Sequence, residues 1–163
     1  MAANMFLKLT GIDGESTIAD HEKEIEVLSF SSSVLQAASP QSTSGSATSS
    51  NASFSDLTLT KYMDSASPTL FKTACTGKPI DQAVLCVTRS DSDHHTTYLK
   101  YTLQNVVLSN YQASGSDGGG LPIESLGLNF GTFQIEYSPT DRASGGTTGA
   151  VTAGWDVTAN KSL

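Results

Sequence analysis

The sequence predicts a mainly β domain, a small barrel or sandwich carrying one short helix. Three observations predict it. Short apolar runs at alternating or continuous spacing recur from Met5 to Tyr137, separated by Gly- and Ser-rich turns. Only one stretch, Thr60 to Gly77, has helix start and stop signals. The chain of 163 residues is long enough to bury a core as one domain.

Taken in order, Met5–Leu9 reads as a first strand and Gly11 to Ser16 as a turn. From Glu24 to Ser31 the apolar phase changes. Ile25 and Val27 share one face, whereas Leu28 and Phe30 take the other, which predicts a bulge or a strand buried on both sides. Residues 36–53 hold no charge and no large apolar side chain. That composition fits either a flexible Ser-rich linker or a neutral loop lying flat against another protein.

Phe54 to Leu59 is a strand leading to the helix. Ser67 is the expected N-cap, Pro68 the first helical residue and Gly77 the stop, with Leu70, Phe71 and Ala74 as the apolar stripe. Residues 83–88 and 97–108 form a hairpin candidate around the polar turn Ser90 to His95. In the second run Leu99, Tyr101 and Leu103 share a face, and Val106 and Leu108 reverse it. Ile123 to Tyr137 reads as one strand bent at Gly131, or as two. A lone Trp155 near the end predicts a tail tied down by packing.

Composition excludes several functions. Charged residues make up 15% of the chain and the net charge is −7, without the basic footprint that nucleic acid or an anionic membrane requires. No run reaches transmembrane length, and the first residues do not form a signal peptide, so synthesis in the cytosol is expected. Cys75 and Cys86 read as small buried hydrophobes rather than a disulfide or metal pair. Asp91, Asp93, His94 and His95 read as a polar turn, and His21 as part of a solvated face. There is no Gly-x-Ser-x-Gly elbow, and Glu124 and Glu136 read as outward strand residues, so no catalytic centre, cofactor or metal is expected. A ligand- or carbohydrate-binding β module remains the alternative; it needs a concave patch of exposed aromatics.

An ordered set of segments carries a resemblance. Met5-Phe6-Leu7-Lys8 with Gly14-Glu15-Ser16, Glu24 to Ser31, Leu59 to Asp64, Ser67-Pro68, Ala74 to Lys78, Glu124 to Phe130, Tyr137-Ser138-Pro139 and Gly154-Trp155-Asp156 are together similar to the haemolysin-coregulated protein family, Hcp. Its members are inner-tube subunits of bacterial type VI secretion systems. The resemblance implies a small two-sheet β-barrel with one flanking helix, a homo-hexameric ring that stacks on further rings, and passage out of the bacterial cytoplasm without a cleaved signal peptide. It implies a contractile sheath, a spike protein and small effector proteins as partners. Ser31 and Ser29 would then be lumen positions near cargo. Gln41, Ser44, Ser46 and Thr48, in the extended loop at 36–53, would meet the next ring.

Overall fold

The computed structural model describes residues 3–37, 51–91, 94–139 and 148–163. The loop positions Gln41, Ser44, Ser46 and Thr48 lie outside the described residues, as does the centre of the polar turn at 92–93.

The described chain has twelve strands and one helix. These are β1 (Ala3–Leu9), β2 (Ile25–Val27), β3 (Ser29–Ser31), β4 (Val34–Leu35), β5 (Ser53–Phe54), β6 (Leu57–Tyr62), α1 (Ser67–Thr76), β7 (Ile80–Asp91), β8 (His94–Ser114), β9 (Ile123–Asn129), β10 (Thr132–Tyr137), β11 (Val151–Asp156) and β12 (Lys161–Ser162). One ladder runs β12-β11-β10-β8-β7-β1-β2 and a second runs β3-β6-β9-β8; β4 and β5 pair separately. The two ladders share β8 and bury one core. Leu7, Ile25, Leu85 and Leu103 of the first meet Leu57, Leu59, Leu126 and Leu128 of the second. The mainly β class with a single helix is as expected, but strand pairing among the described residues does not close the ladders into a barrel.

The phase changes in the sequence are places where the chain crosses between ladders. After Val27 the chain leaves β1, and Leu28 N–H donates to Thr60 O at 2.7 Å to begin the β3–β6 pairing. β8 pairs with β7 and β10 over its first part and with β9 over its second. The crossing falls at Asn105, whose φ of 52° is left-handed. The crossing from β9 to β10 falls at Gly131, which faces Asn105: a Cβ there would stand 3.2 Å from that of Asn105, and Gly131 N–H donates to Gln104 O at 2.9 Å. Two strands thus turn the same corner together, and the inward phase reverses in both.

The helix keeps its predicted stop, with Gly77 at φ 63° and its N–H on Thr73 O at 3.0 Å. Its start differs from the expectation. Ala66 occupies the cap and Ser67 lies inside the helix, because the Ser67 hydroxyl is drawn into a buried polar cluster beneath it. Of the expected stripe, Leu70 is fully buried and Ala74 packs on the core, while Phe71 is 56% exposed and only touches the Tyr111 ring edge-on. Cys86 is buried as expected, but Cys75 is exposed, since it falls on the solvent side of the last helical turn.

His21 is buried rather than solvated. Its ring stacks on Phe6 with centroids 4.4 Å apart, and Nδ1 lies 2.8 Å from Glu24 Oε2. This contact folds the 11–24 segment over the outer side of β1. Gly14 is threaded between backbones there, with its N–H on Lys23 O at 2.7 Å. A Cβ at Gly14 would lie 2.4 Å from Glu24 O. Gly14→Ala is therefore expected to lower the urea midpoint of unfolding, by about 1–3 kcal/mol in stability, with the fold retained by circular dichroism.

Candidate functional site

Alternation along four strands builds a face that carries the sequence-predicted serines. In β6, Leu57, Leu59 and Lys61 point inward, leaving Thr58 and Thr60 outward. In β9, Glu124, Leu126 and Leu128 point inward, leaving Ser125, Gly127 and Asn129 on the other side. The register aligns these in rows. Ser29 pairs with Thr60, Thr60 with Ser125, and Ser125 with Gln112. Ser31 pairs with Thr58, Thr58 with Gly127, and Gly127 with Asn110. Neither row holds a charged side chain. Ser29 and Ser31 are both exposed, and the Ser29 hydroxyl shares a hydrogen bond with Thr60. At the margin of the face Asp56 accepts from Ser109 and, at 2.9 Å, from Asn129 Nδ2.

The structure thus brings Ser29 and Ser31 together with Thr58, Thr60, Ser125 and Gln112, which the sequence reading did not single out. Their signal was present as the polar phase of 57–62 and 123–129. Chemically the two rows offer hydroxyls and amides at short reach and nothing ionisable, with the Asp56 carboxylate confined to the margin. The face suits broad, wet, hydrogen-bonded contact with another protein, each contact weak, rather than a tight anchored site.

The opposite side of the molecule differs in kind. On the outer side of the first ladder the registered row is Glu26, Phe6, Cys86, Lys100 and Glu136. Lys100 Nζ and Glu136 Oε2 lie 3.9 Å apart at the surface. Burial pushes the Cys86 thiol up to about 11, with the Glu24 charge adding to it, so the group is an inert thiol.

Beneath the Ser/Thr face, where β6 meets the helix, sits the buried charge cluster. Lys61 and Glu124 are cross-strand partners and both are fully buried. Glu124 was expected to face outward with Glu136. It shares the inward phase of Leu126 and Leu128, and only Glu136 is at the surface. Lys61 Nζ donates to Glu124 Oε2 at 2.7 Å, Asp64 Oδ1 at 2.8 Å and Ser67 Oγ at 3.3 Å. Glu124 also accepts from Ser67 Oγ at 2.8 Å and from the Tyr111 hydroxyl. A register shift in β8 between Leu108 and Asn110, opposite Gly127, is what turns Tyr111 inward to reach it.

Burial alone would raise the Glu124 carboxyl, but hydrogen bonds from Lys61, Tyr111 and Ser67 outweigh it and hold it below the usual glutamate range. Burial, then the bond to Glu124, pushes the Tyr111 hydroxyl up to about 12. Lys61 is fully paired, and no group of the cluster is left exposed to react, so the arrangement is a fastening rather than a reaction centre. Among the described residues no three His, Cys, Asp or Glu side chains gather as a metal site would require. No helix among them is long and apolar enough to cross a membrane.

The comparisons with known proteins point one way. The family model for the type VI secretion system effector Hcp matches residues 6–137. The chain belongs to the Hcp family. It is 32% identical over 160 residues to protein Hcp1 of Pseudomonas aeruginosa, covering 98% of each chain. Among solved structures it is similar to Hcp1 from Salmonella typhimurium, with TM-score 0.81, 37% identity and full coverage of both chains. A further type six secretion system protein aligns with TM-score 0.93 and 31% identity over 99% of this chain and 100% of that one. Hcp-family proteins serve type VI secretion as structural, secreted components of a multi-subunit machine, and this chain shares that class.

Removing one charge of the buried pair leaves the other unpaired. Lys61→Met is expected to cost about 3–5 kcal/mol, and Lys61→Met with Glu124→Leu to recover much of it, both read by urea denaturation. Because the folded Glu124 pKa is depressed, its contribution is fully present above the ordinary glutamate value of about 4.3 and is lost as pH falls through the folded value. Stability of the wild type should therefore fall in that acidic window more steeply than that of Glu124→Gln, measured by thermal melts across pH.

Proposed function

We propose that the chain, as one tube-subunit domain over residues 1–163, forms a homo-hexameric ring. These rings stack into the inner tube of a type VI secretion system. The tube carries small effector proteins in its lumen and leaves the bacterial cytoplasm, driven by the contractile sheath and tipped by the spike protein. Family membership supports the machine. The observation that supports the lumen assignment is the uncharged Ser/Thr face over β3, β6, β9 and the second part of β8. A lining without fixed charges grips no cargo by ion pairs, and six copies of a weak hydrogen-bonding surface retain it by multivalency. Ser29 and Ser31 are then lumen residues, and Gln41, Ser44, Ser46 and Thr48 contact the adjacent ring.

The purified protein is expected to elute near six times the 17.0 kDa of one chain in size exclusion with light scattering. Monomer alone at high concentration would refute the ring. Ser31→Tyr should leave rings intact and lower co-purification of an effector several-fold; unchanged retention would remove Ser31 from the cargo surface. Deleting residues 40–50 should preserve rings and shorten or abolish tubes in negative-stain images.

A further inference from the structure

The chain holds two Asp-Gly dipeptides, Asp13-Gly14 and Asp117-Gly118, and no Asn-Gly. Such a dipeptide can rearrange by itself, because glycine has no Cβ to shield its nitrogen from the aspartate carboxyl. Ring closure requires that the glycine N–H be free and that the backbone turn about the aspartate. The fold treats the two pairs oppositely.

At the first pair, Gly14 N–H donates to Lys23 O at 2.7 Å and Ser16 N–H donates to Glu24 O at 3.1 Å. A Cβ at Gly14 would lie 2.4 Å from Glu24 O, so backbone is packed on backbone. The stack of His21 on Phe6 holds the same segment closed. Freeing the Gly14 nitrogen therefore requires local unfolding. The second pair lies in the exposed turn between β8 and β9. Among the described residues nothing accepts the Gly118 N–H. The turn is closed by Gly119 N–H on Ser116 O at 3.3 Å, and a Cβ at Gly118 or Gly120 would meet nothing within 4 Å. Gly118 stands at φ 76°, where glycine turns freely.

We infer that Asp117 is a site of spontaneous isoaspartate formation in the folded protein, and that the fold protects Asp13 from the same reaction. The Gly118 nitrogen attacks Asp117 Cγ. The new N–Cγ bond closes a succinimide ring, and the carboxyl hydroxyl leaves as water with the amide proton. Water then adds at the former main-chain carbonyl carbon and breaks its bond to nitrogen, so the main chain now runs through Cβ and Cγ. The mass is restored, and nothing is oxidised or reduced. The product lengthens the main chain of the β8–β9 turn by a carbon, close to Pro122, whose carbonyl accepts from Met63 N–H at 2.9 Å. It also presents a free α-carboxylate, the group that an S-adenosylmethionine-dependent carboxyl methyltransferase specific for isoaspartate esterifies.

The test ages the purified full chain in mildly acidic buffer, with circular dichroism to confirm folding, beside a sample held unfolded in urea. Peptide mapping with electron-transfer fragmentation locates isoaspartate, and methyl transfer by such a methyltransferase counts it. In the folded sample isoaspartate should accumulate at 117 several-fold faster than at 13, preceded by a species lighter by one water. In urea the two positions should react at comparable rates. Asp117→Ser should remain folded and lose nearly all methyl incorporation of the folded sample. No isoaspartate at 117 in the folded chain, or equal rates at 13 and 117 there, would overturn the assignment. An Asp13 that stays unreactive in urea would overturn its protection by the fold.

Discussion

The buried pair of Lys61 and Glu124 is the constraint on which the rest of this architecture depends. Two full charges stand side by side across β6 and β9 with no exposure to water. Such a pair is tolerable only if every remaining donor and acceptor is satisfied. That requirement recruits Ser67 from the helix, Asp64 from the turn before it and Tyr111 from β8. Three neighbouring elements are thereby held at one point. The helix does without a side-chain cap because its first serine serves this cluster instead. Hydrophobic residues of equal volume would pack as well, but would not fix the turn between β6 and α1 in one geometry.

The second organising feature is the shared corner at Asn105 and Gly131. Both strands leave one ladder and enter the other there, so a single crossing produces two faces of different chemistry. One presents hydroxyls and amides in aligned rows, the other mixed charge and a ring-stacked histidine. A subunit whose two sides must meet different surroundings needs this separation. Antiparallel pairing supplies it, because alternate side chains of the same strand face opposite ways.

Much of the fold was legible in the residues. Alternation located the strands, and the reversals at Leu28, at Val106 and near Gly131 marked the crossings, although periodicity could not say whether a reversal is a bulge or a change of sheet. Pro68 and Gly77 bounded the helix. The misreadings concern closure into a barrel, which pairing among the described residues does not show, and the side chains of His21, Phe71, Cys75, Ser67 and Glu124. Polar side chains carry no local sign of burial; the stacking of His21 on Phe6 and the pairing of Glu124 with Lys61, 63 residues away, exist only after distant strands align. The phase of Glu124, shared with Leu126 and Leu128, was the one available hint.

By itself the sequence determined the class, the order of strands, the stop of the helix and, through an ordered set of segments, the family. These follow from local stereochemistry and side-chain period, which need no distant partner. Tertiary structure alone decided that Ser29 and Ser31 belong to a four-strand face of uncharged rows and that Lys61 and Glu124 are buried together. Each of those depends on register between strands far apart in the chain. Register is set by packing and hydrogen bonding across the whole sheet rather than by any one segment.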